Sequence, residues 1–222
     1  MCIRDSFDRA NRFTSACSPE IYLDDALDKD GERHEAVYIC EPVHNLVHRS
    51  ELRRNGPTFS ASRFAGEEQT EFLTSTDNWF RPVMVRTGPD GDIWVADMYR
   101  MVIEHPEWIP KQWQDRIDHL SGSDKGRIYR VRLPHTGSSR ATADWQTIRS
   151  QSSEELVNTL SHHNGVMRDM AHQELFERKD EAAIPFLKKA LKDAPIQASN
   201  LLVCLNAFEP VSYTHLTLPT KA

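Results

Sequence analysis

The sequence has no apolar run approaching the roughly 20 residues that a membrane-crossing helix needs, which excludes a helical transmembrane segment within it. Basic charge is in deficit. The 27 Lys and Arg stand against 33 Asp and Glu, a net charge of -6, and no basic stripe forms, so a nucleic-acid partner is not expected. The N-terminus lacks the apolar core of a secretory signal. Cysteine is scarce: of the four, Cys2, Cys17, Cys40 and Cys204, none forms a C-x-x-C pair or a C-x-x-C-H haem-attachment motif. Cys40-Glu41-Pro42-Val43-His44 has the wrong spacing for haem. Two readings of Cys17 and Cys40 stay open, a disulfide in an oxidising compartment or two buried thiols in a β core. Cys204, within Leu201-Leu202-Val203-Cys204-Leu205, reads as helix core. What remains, 39% hydrophobic and 27% charged over 222 residues, is ordinary soluble globular material for one or two domains.

The two ends share an unusual relation. The DNA stretch ATGTGTATAAGAGACAG would encode Met1-Cys2-Ile3-Arg4-Asp5-Ser6, and its reverse complement, read from the third base, encodes Val211-Ser212-Tyr213-Thr214-His215. It resembles a transposase end used in sequencing libraries. Residues 1–6 and 211–222 are therefore expected to be translated adapter and no part of the fold. The chain between them is expected to be an internal fragment of a larger protein.

From about residue 12 to 135 the chain reads as short strands with turns. Ala36–Cys40, Asn45–Arg49 and Thr58–Phe64 are β-type runs, the last alternating polar and apolar. Pro82–Thr87, the turn Gly88-Pro89-Asp90-Gly91, and Asp92–Asp97 form a hairpin whose Pro-Asp-Gly sequence suits a tight reversal. Gly126–Val131 is a further strand. An insertion at about 104–125 carries a helix expected from Pro110 to about His119, with Trp108 and Trp113 packing it onto the sheets. Short strands with recurring turns suit a sandwich, a barrel or a propeller, and the propeller is favoured: two terminal blades over 7–135.

From about residue 144 the pattern becomes helical. Ser153 is expected to open one helix, Val166–Arg178 to form a second with Met167, Met170, Ala171, Leu175 and Phe176 on one face, Asp180 to cap a third, and Pro195 to open a fourth. Tightly connected amphipathic helices match HEAT-like solenoid repeats over 144–210. The Gly-, Ser- and Thr-rich stretch 136–143 is the expected linker.

Several segments together resemble one family. They are Thr14–Cys17, Cys40–Arg49, Glu71–Val83, Gly88–Gly91, Val95–Arg100, Ile103–Pro110, Gly126–Arg130 and Arg168-Asp169. In order and spacing they resemble the membrane-bound dehydrogenases of planctomycetes and verrucomicrobia, whose propeller is similar to L-sorbosone dehydrogenase. The resemblance implies a fold of terminal blades of a six-bladed β-propeller followed by an all-α HEAT-like segment. It also implies a parent with a secretion signal and a C-terminal C-x-x-C-H haem c domain, periplasmic or membrane-associated. Such a parent would oxidise a small sugar or polyol with pyrroloquinoline quinone and Ca²⁺ and pass electrons to its haem domain. The fragment alone is expected to be inactive.

Under that strand assignment, Arg81, Asp97, Tyr99, Arg100, Glu104 and His105, with Glu41 and His44 from the earlier blade, fall on one rim. His44 and His105 are the candidate general bases, since imidazole titrates near working pH. Arg81 and Arg100, with Asp97 and Tyr99, are candidates to hold a quinone, arginine gripping its carboxylates. Glu104, with Asp97, is the candidate cation ligand. Equally simple structural roles exist: Arg81 and Asp97 locking the blade, Tyr99 packing, His105 satisfied in its loop, and His162-His163 at a solvated helix end. The other functional class is a non-catalytic propeller-solenoid scaffold that binds carbohydrate or protein, because a fold does not decide function.

Overall fold

A computed structural model of the protein describes residues 13–27, 35–132 and 145–193. Two compact units divide between Arg140 and Ala141. Among the described residues the first holds antiparallel sheets and the second helices. The expected adapter ends, the linker at 136–143 and the helix expected from Pro195 lie outside the described residues.

In the first unit, β1 (Cys17–Ile21), β2 (Ala36–Glu41), β3 (Leu46–Asn55) and β4 (Thr58–Ser62) pair in sequence order, and β5 (Leu73–Thr74) pairs with the start of β3. A second, three-stranded sheet follows the order β6 (Pro82–Thr87), β7 (Ile93–Asp97), β8 (Arg127–Val131). Side chains alternate with period two. On β7, Ile93 and Val95 are buried while Trp94 between them is exposed. On the first sheet, Tyr38, Cys40 and Val47 share a face and join Val85, Ile93 and Val95 in one core. The register puts Ile39 opposite His48, so β3 turns Leu46, His48 and Ser50 to the other face.

Side chains close the exposed edge of β6. The Val85 N–H donates to Ser18 Oγ at 3.2 Å and the Thr87 N–H to Glu20 Oε1 at 3.1 Å. Strand β1 thus belongs to one sheet by its backbone and caps the edge of the other with side chains, satisfying donors that would otherwise template pairing. The β6–β7 turn is local chemistry. Asp90 Oδ1 accepts from the Asp92 N–H at 3.1 Å, and Gly91 adopts φ +79 with its Cα so close to Asp24 and Ala26 that a Cβ would come within 2.8 Å of Ala26. Only glycine meets both demands.

The insertion differs from expectation. Its helix is a single turn, α1 (Lys111–Gln114), preceded by a 3-10 turn at Pro106–Trp108. Trp108 is 76% exposed and does not clamp the insertion down, while Trp113, at 40%, is more than half covered. A turn with no buried apolar stripe has nothing to prolong it, because short helices live on packing.

The second unit contains α2 (Trp145–Ser150), α3 (Ser153–Thr159), α4 (Gly165–Arg178), a 3-10 turn at Glu181–Ala183, and α5 (Ile184–Asp193). The cap of α3 is Ser152, one residue before the expected Ser153. Its hydroxyl accepts from the Glu155 N–H, and Glu155 accepts from the Ser152 N–H, a capping box. Asn164 caps α4 and Asp180 the 3-10 turn. Arg168 donates to the carbonyls of His162 (2.6 Å) and His163 (2.9 Å), and Arg178 to those of Arg149 and Gln151 (both 2.6 Å), so each arginine ties off orphan carbonyls near a preceding helix end. Phe176, expected on the inner face, is 55% exposed. Ile148, Leu156, Leu160, Ala171, Leu175 and Leu187 are the centre of the core. Leu156→Ala is expected to destabilise this unit by about 2–5 kcal/mol, read as a lower urea midpoint for the loss of helical circular dichroism.

Candidate functional site

Two places in the first unit gather chemistry-bearing side chains. The first is the rim anticipated from sequence. Arg81, just before β6, is 1% exposed. Its guanidinium donates to four backbone carbonyls: Pro42 at 2.8 Å, Val43 at 3.4 Å, Arg100 at 3.1 Å and Met101 at 3.1 Å. It therefore joins the β2–β3 turn to the segment after β7. Asn45, at φ 58 in that turn, adds a bond from its amide to the Phe80 carbonyl at 2.5 Å. Asp97 Oδ1 accepts the N–H of Arg81 at 2.7 Å and of Tyr99 at 2.8 Å. This pair locks the junction through the backbone, not by a side-chain ion pair.

The remaining rim residues follow Asp97 in the segment after β7. Tyr99 sits at φ 49, with the Arg127 guanidinium 3.8 Å from its ring centre and Trp79 at 5.6 Å. Asp77 beside its hydroxyl pushes the phenol pKa up. Arg100 keeps a buried Nη1, and Asp97 a buried Oδ2, with no hydrogen-bond partner. Glu104 is half-buried. His105 is exposed and caps the following 3-10 turn, its Nδ1 accepting from the Glu107 N–H at 3.3 Å. Quinone carboxylates need uncommitted cations on one face. Arg81 has its guanidinium turned to carbonyls and Arg127 lies over one face of Tyr99, so neither of these two side chains is placed to grip a quinone carboxylate, whereas the Arg100 Nη1 is uncommitted.

The second place is a cavity of about 610 Å³ on the other face of the first sheet. Its wall includes Phe13, His44, His48, Arg63, Glu68, Gln69 and Glu71. Strand β3 presents His48 there by alternation, and the segment after β4 returns Arg63 and residues 68–71 across it. Glu71 is the hub. One oxygen lies 2.6 Å from His48 Nδ1 and the other accepts from Arg63. Burial would raise the Glu71 carboxyl, but the Arg63 and His48 hydrogen bonds outweigh it and hold its pKa below the ordinary value. Ser50 Oγ lies 2.8 Å from His48 Nε2. Carboxylate, imidazole and hydroxyl thus form the chain that orients a catalytic histidine in hydrolases. Here Ser50 is only 7% exposed and lies outside the cavity wall, so the chain fixes the ring. Phe13 packs on that ring at 5.0 Å.

Of the sequence candidates, His44 alone lines this cavity, its Nδ1 3.2 Å from Glu41 Oε1. Glu41 is fully buried and also accepts from Ser15 Oγ at 2.6 Å, holding the turn beneath His44. Arg63, Glu71 and the role of His48 were missed. The available signal was the polar spacing of His48 and Ser50 on an otherwise core-forming strand.

A family model described as a domain of unknown function (DUF7133) matches residues 2–135. No curated protein and no solved structure matches the chain.

Proposed function

The chain belongs to the DUF7133 family, and we propose that its β unit is a binding module for a small neutral polyol or sugar, seated in the cavity walled by His44, His48, Arg63 and Glu71. The observation that carries this reading is the cavity itself. Its volume of about 610 Å³ lies within the roughly 300–1,000 Å³ typical of small-molecule sites. The wall presents both donors and acceptors, and each hydroxyl of a polyol is both. Phe13 supplies an apolar face. Charge selects against an anion, since one arginine stands beside two glutamates, Glu68 and Glu71, and that arginine is already paired with Glu71.

In the same proposal the two sheets are adjacent blades of a larger propeller, with the helices as HEAT-like repeats. A sugar oxidised by a quinone-dependent parent and a sugar merely held by a scaffold would both need such a pocket. The present geometry favours the scaffold, because the Arg81 guanidinium is occupied in joining the β2–β3 turn to the segment after β7.

Calorimetric titration of the 222-residue chain tests the proposal. Sorbitol or glucose is expected to bind at roughly millimolar strength, about -4 kcal/mol, and gluconate more weakly. Arg63→Met should weaken the polyol by about tenfold, the order of one lost charged hydrogen bond. Equal heats for the variant and the parent, or tighter binding of gluconate, would contradict it.

A further inference from the structure

We infer that Cys17 and Cys40 form a cross-strand thiol–disulfide pair, a covalent modification site that a low-molecular-weight disulfide oxidises in the folded protein. The register of β1 and β2 puts the two residues directly opposite each other. Opposite residues of an antiparallel pair project to the same face, with Cα atoms about 4.5–5.5 Å apart. A disulfide accepts Cα separations of about 4.4–6.8 Å. Both residues are free thiols in the structure. The backbone beside Cys17 is irregular, since the β1–β2 register shifts between Cys17 and Glu20 and Ser18 adopts φ 49. That irregularity lets Cys17 approach Cys40 without disturbing the regular β2–β3 ladder.

The thiols differ in access, and this sets the order of events. Cys40 is fully buried, while Cys17 is half-buried. Burial, with Cys17 beside it, pushes the Cys40 thiol up to about 12; burial and the nearby Glu41 carboxylate raise Cys17 as well. Both therefore rest as protonated thiols, and Cys17 donates to the Val83 carbonyl at 3.7 Å, a link from β1 to β6.

Cys17 reacts first. It loses its proton to solvent, and its thiolate attacks the small disulfide, expelling one small thiolate and leaving a mixed disulfide on Cys17. The Cys40 thiolate then attacks the Cys17 sulfur, forming the Cys17–Cys40 bond and expelling the second small thiolate. Both leaving thiolates take up protons. Two protein thiols are oxidised to one disulfide, and one small disulfide is reduced to two thiols. The second step is the slow one, since so little Cys40 is ionised. Once it closes, Cys17 no longer donates to Val83, while the hydrogen bonds of Ser18 and Glu20 to β6 remain.

The test uses the full chain carrying Cys2→Ser and Cys204→Ser, treated with oxidised glutathione under native conditions. The expected product has lost two hydrogens, shows the tryptic peptides containing Cys17 and Cys40 joined, and reverts with a reductant. A transient single-glutathione adduct on Cys17 should precede it. Adding Cys40→Ser should stop the reaction at that adduct, and Cys17→Ser should leave Cys40 unmodified. A native chain that stays dithiol or ends as a glutathione adduct, while the urea-unfolded chain does form the linked peptide, would overturn the inference. Cys40 reacting with glutathione in the Cys17→Ser chain would overturn the proposed order.

Discussion

Replacing Arg81 with methionine is expected to cost the β unit about 3–5 kcal/mol, comparable to breaking a buried charged network, and so to remove much of the stability of a marginally stable domain. Methionine preserves bulk but donates nothing. The carbonyls of Pro42, Val43, Arg100 and Met101 would lose this donor at a residue position 1% exposed to solvent. Each orphaned carbonyl costs about 1–3 kcal/mol when it stays buried, less where water reaches it. Lysine is not expected to rescue, because one ammonium cannot span carbonyls on both sides of the junction as a planar guanidinium does. Urea unfolding followed by tryptophan fluorescence in a chain carrying Trp145→Phe, which removes the signal of the helical unit, measures the effect. A cofactor-gripping arginine behaves oppositely: its loss would leave the midpoint unchanged or raise it.

Glu71→Ala is expected to weaken polyol binding by more than about tenfold, beyond 1.4 kcal/mol, a larger effect than that of Arg63→Met. Alanine frees two wall residues at once, since His48 and Arg63 both hold to this carboxylate. The pH dependence separates binding from charge. The Glu71 pKa is depressed in the folded chain from its ordinary 4.5. Its contribution is therefore complete above about pH 4.5 and is lost as pH falls below that through the folded value. The parent chain should lose stability through that acid window, and Glu71→Gln should lose less of it. Identical acid profiles for the two chains would show that Glu71 carries no folded-state charge linkage.

The parts legible in the sequence are those fixed by local chemistry. The hairpin β6–β7 was readable because Gly88-Pro89-Asp90-Gly91 specifies its own turn and the flanking residues alternate. The break before α4 was readable because Asn164-Gly165 supplies a cap and an opening. Strand β1 was not, because it contains Pro19 and a left-handed Ser18 and exists through pairing with β2 and the capping of β6. The two-residue β5 is defined only by its partner β3. The insertion misled because Pro110 opens a helix in sequence, yet no buried stripe extends it past Gln114.

The candidate site was legible in residue types more than in roles. Arg81 and Asp97 carry the right groups for a cofactor rim, but the acceptors that occupy Arg81 are backbone carbonyls from distant segments, invisible in any side-chain pattern. His44 was found; its neighbours Arg63 and Glu71 come from segments beyond β4, brought over β3 by its long pairing with β4. Contacts of that kind depend on register, and register is a tertiary property.

The most direct measurement is the ¹H–¹⁵N correlation spectrum of the intact chain during titration with sorbitol. Shifts confined to His44, His48, Arg63, Gln69 and Glu71, and abolished by Glu71→Ala in a chain that remains folded, are the predicted result. Shifts clustering instead at Arg81, Tyr99, Arg100, Glu104 and His105, or a spectrum unmoved by any polyol, would contradict the assignment of this cavity as the binding site.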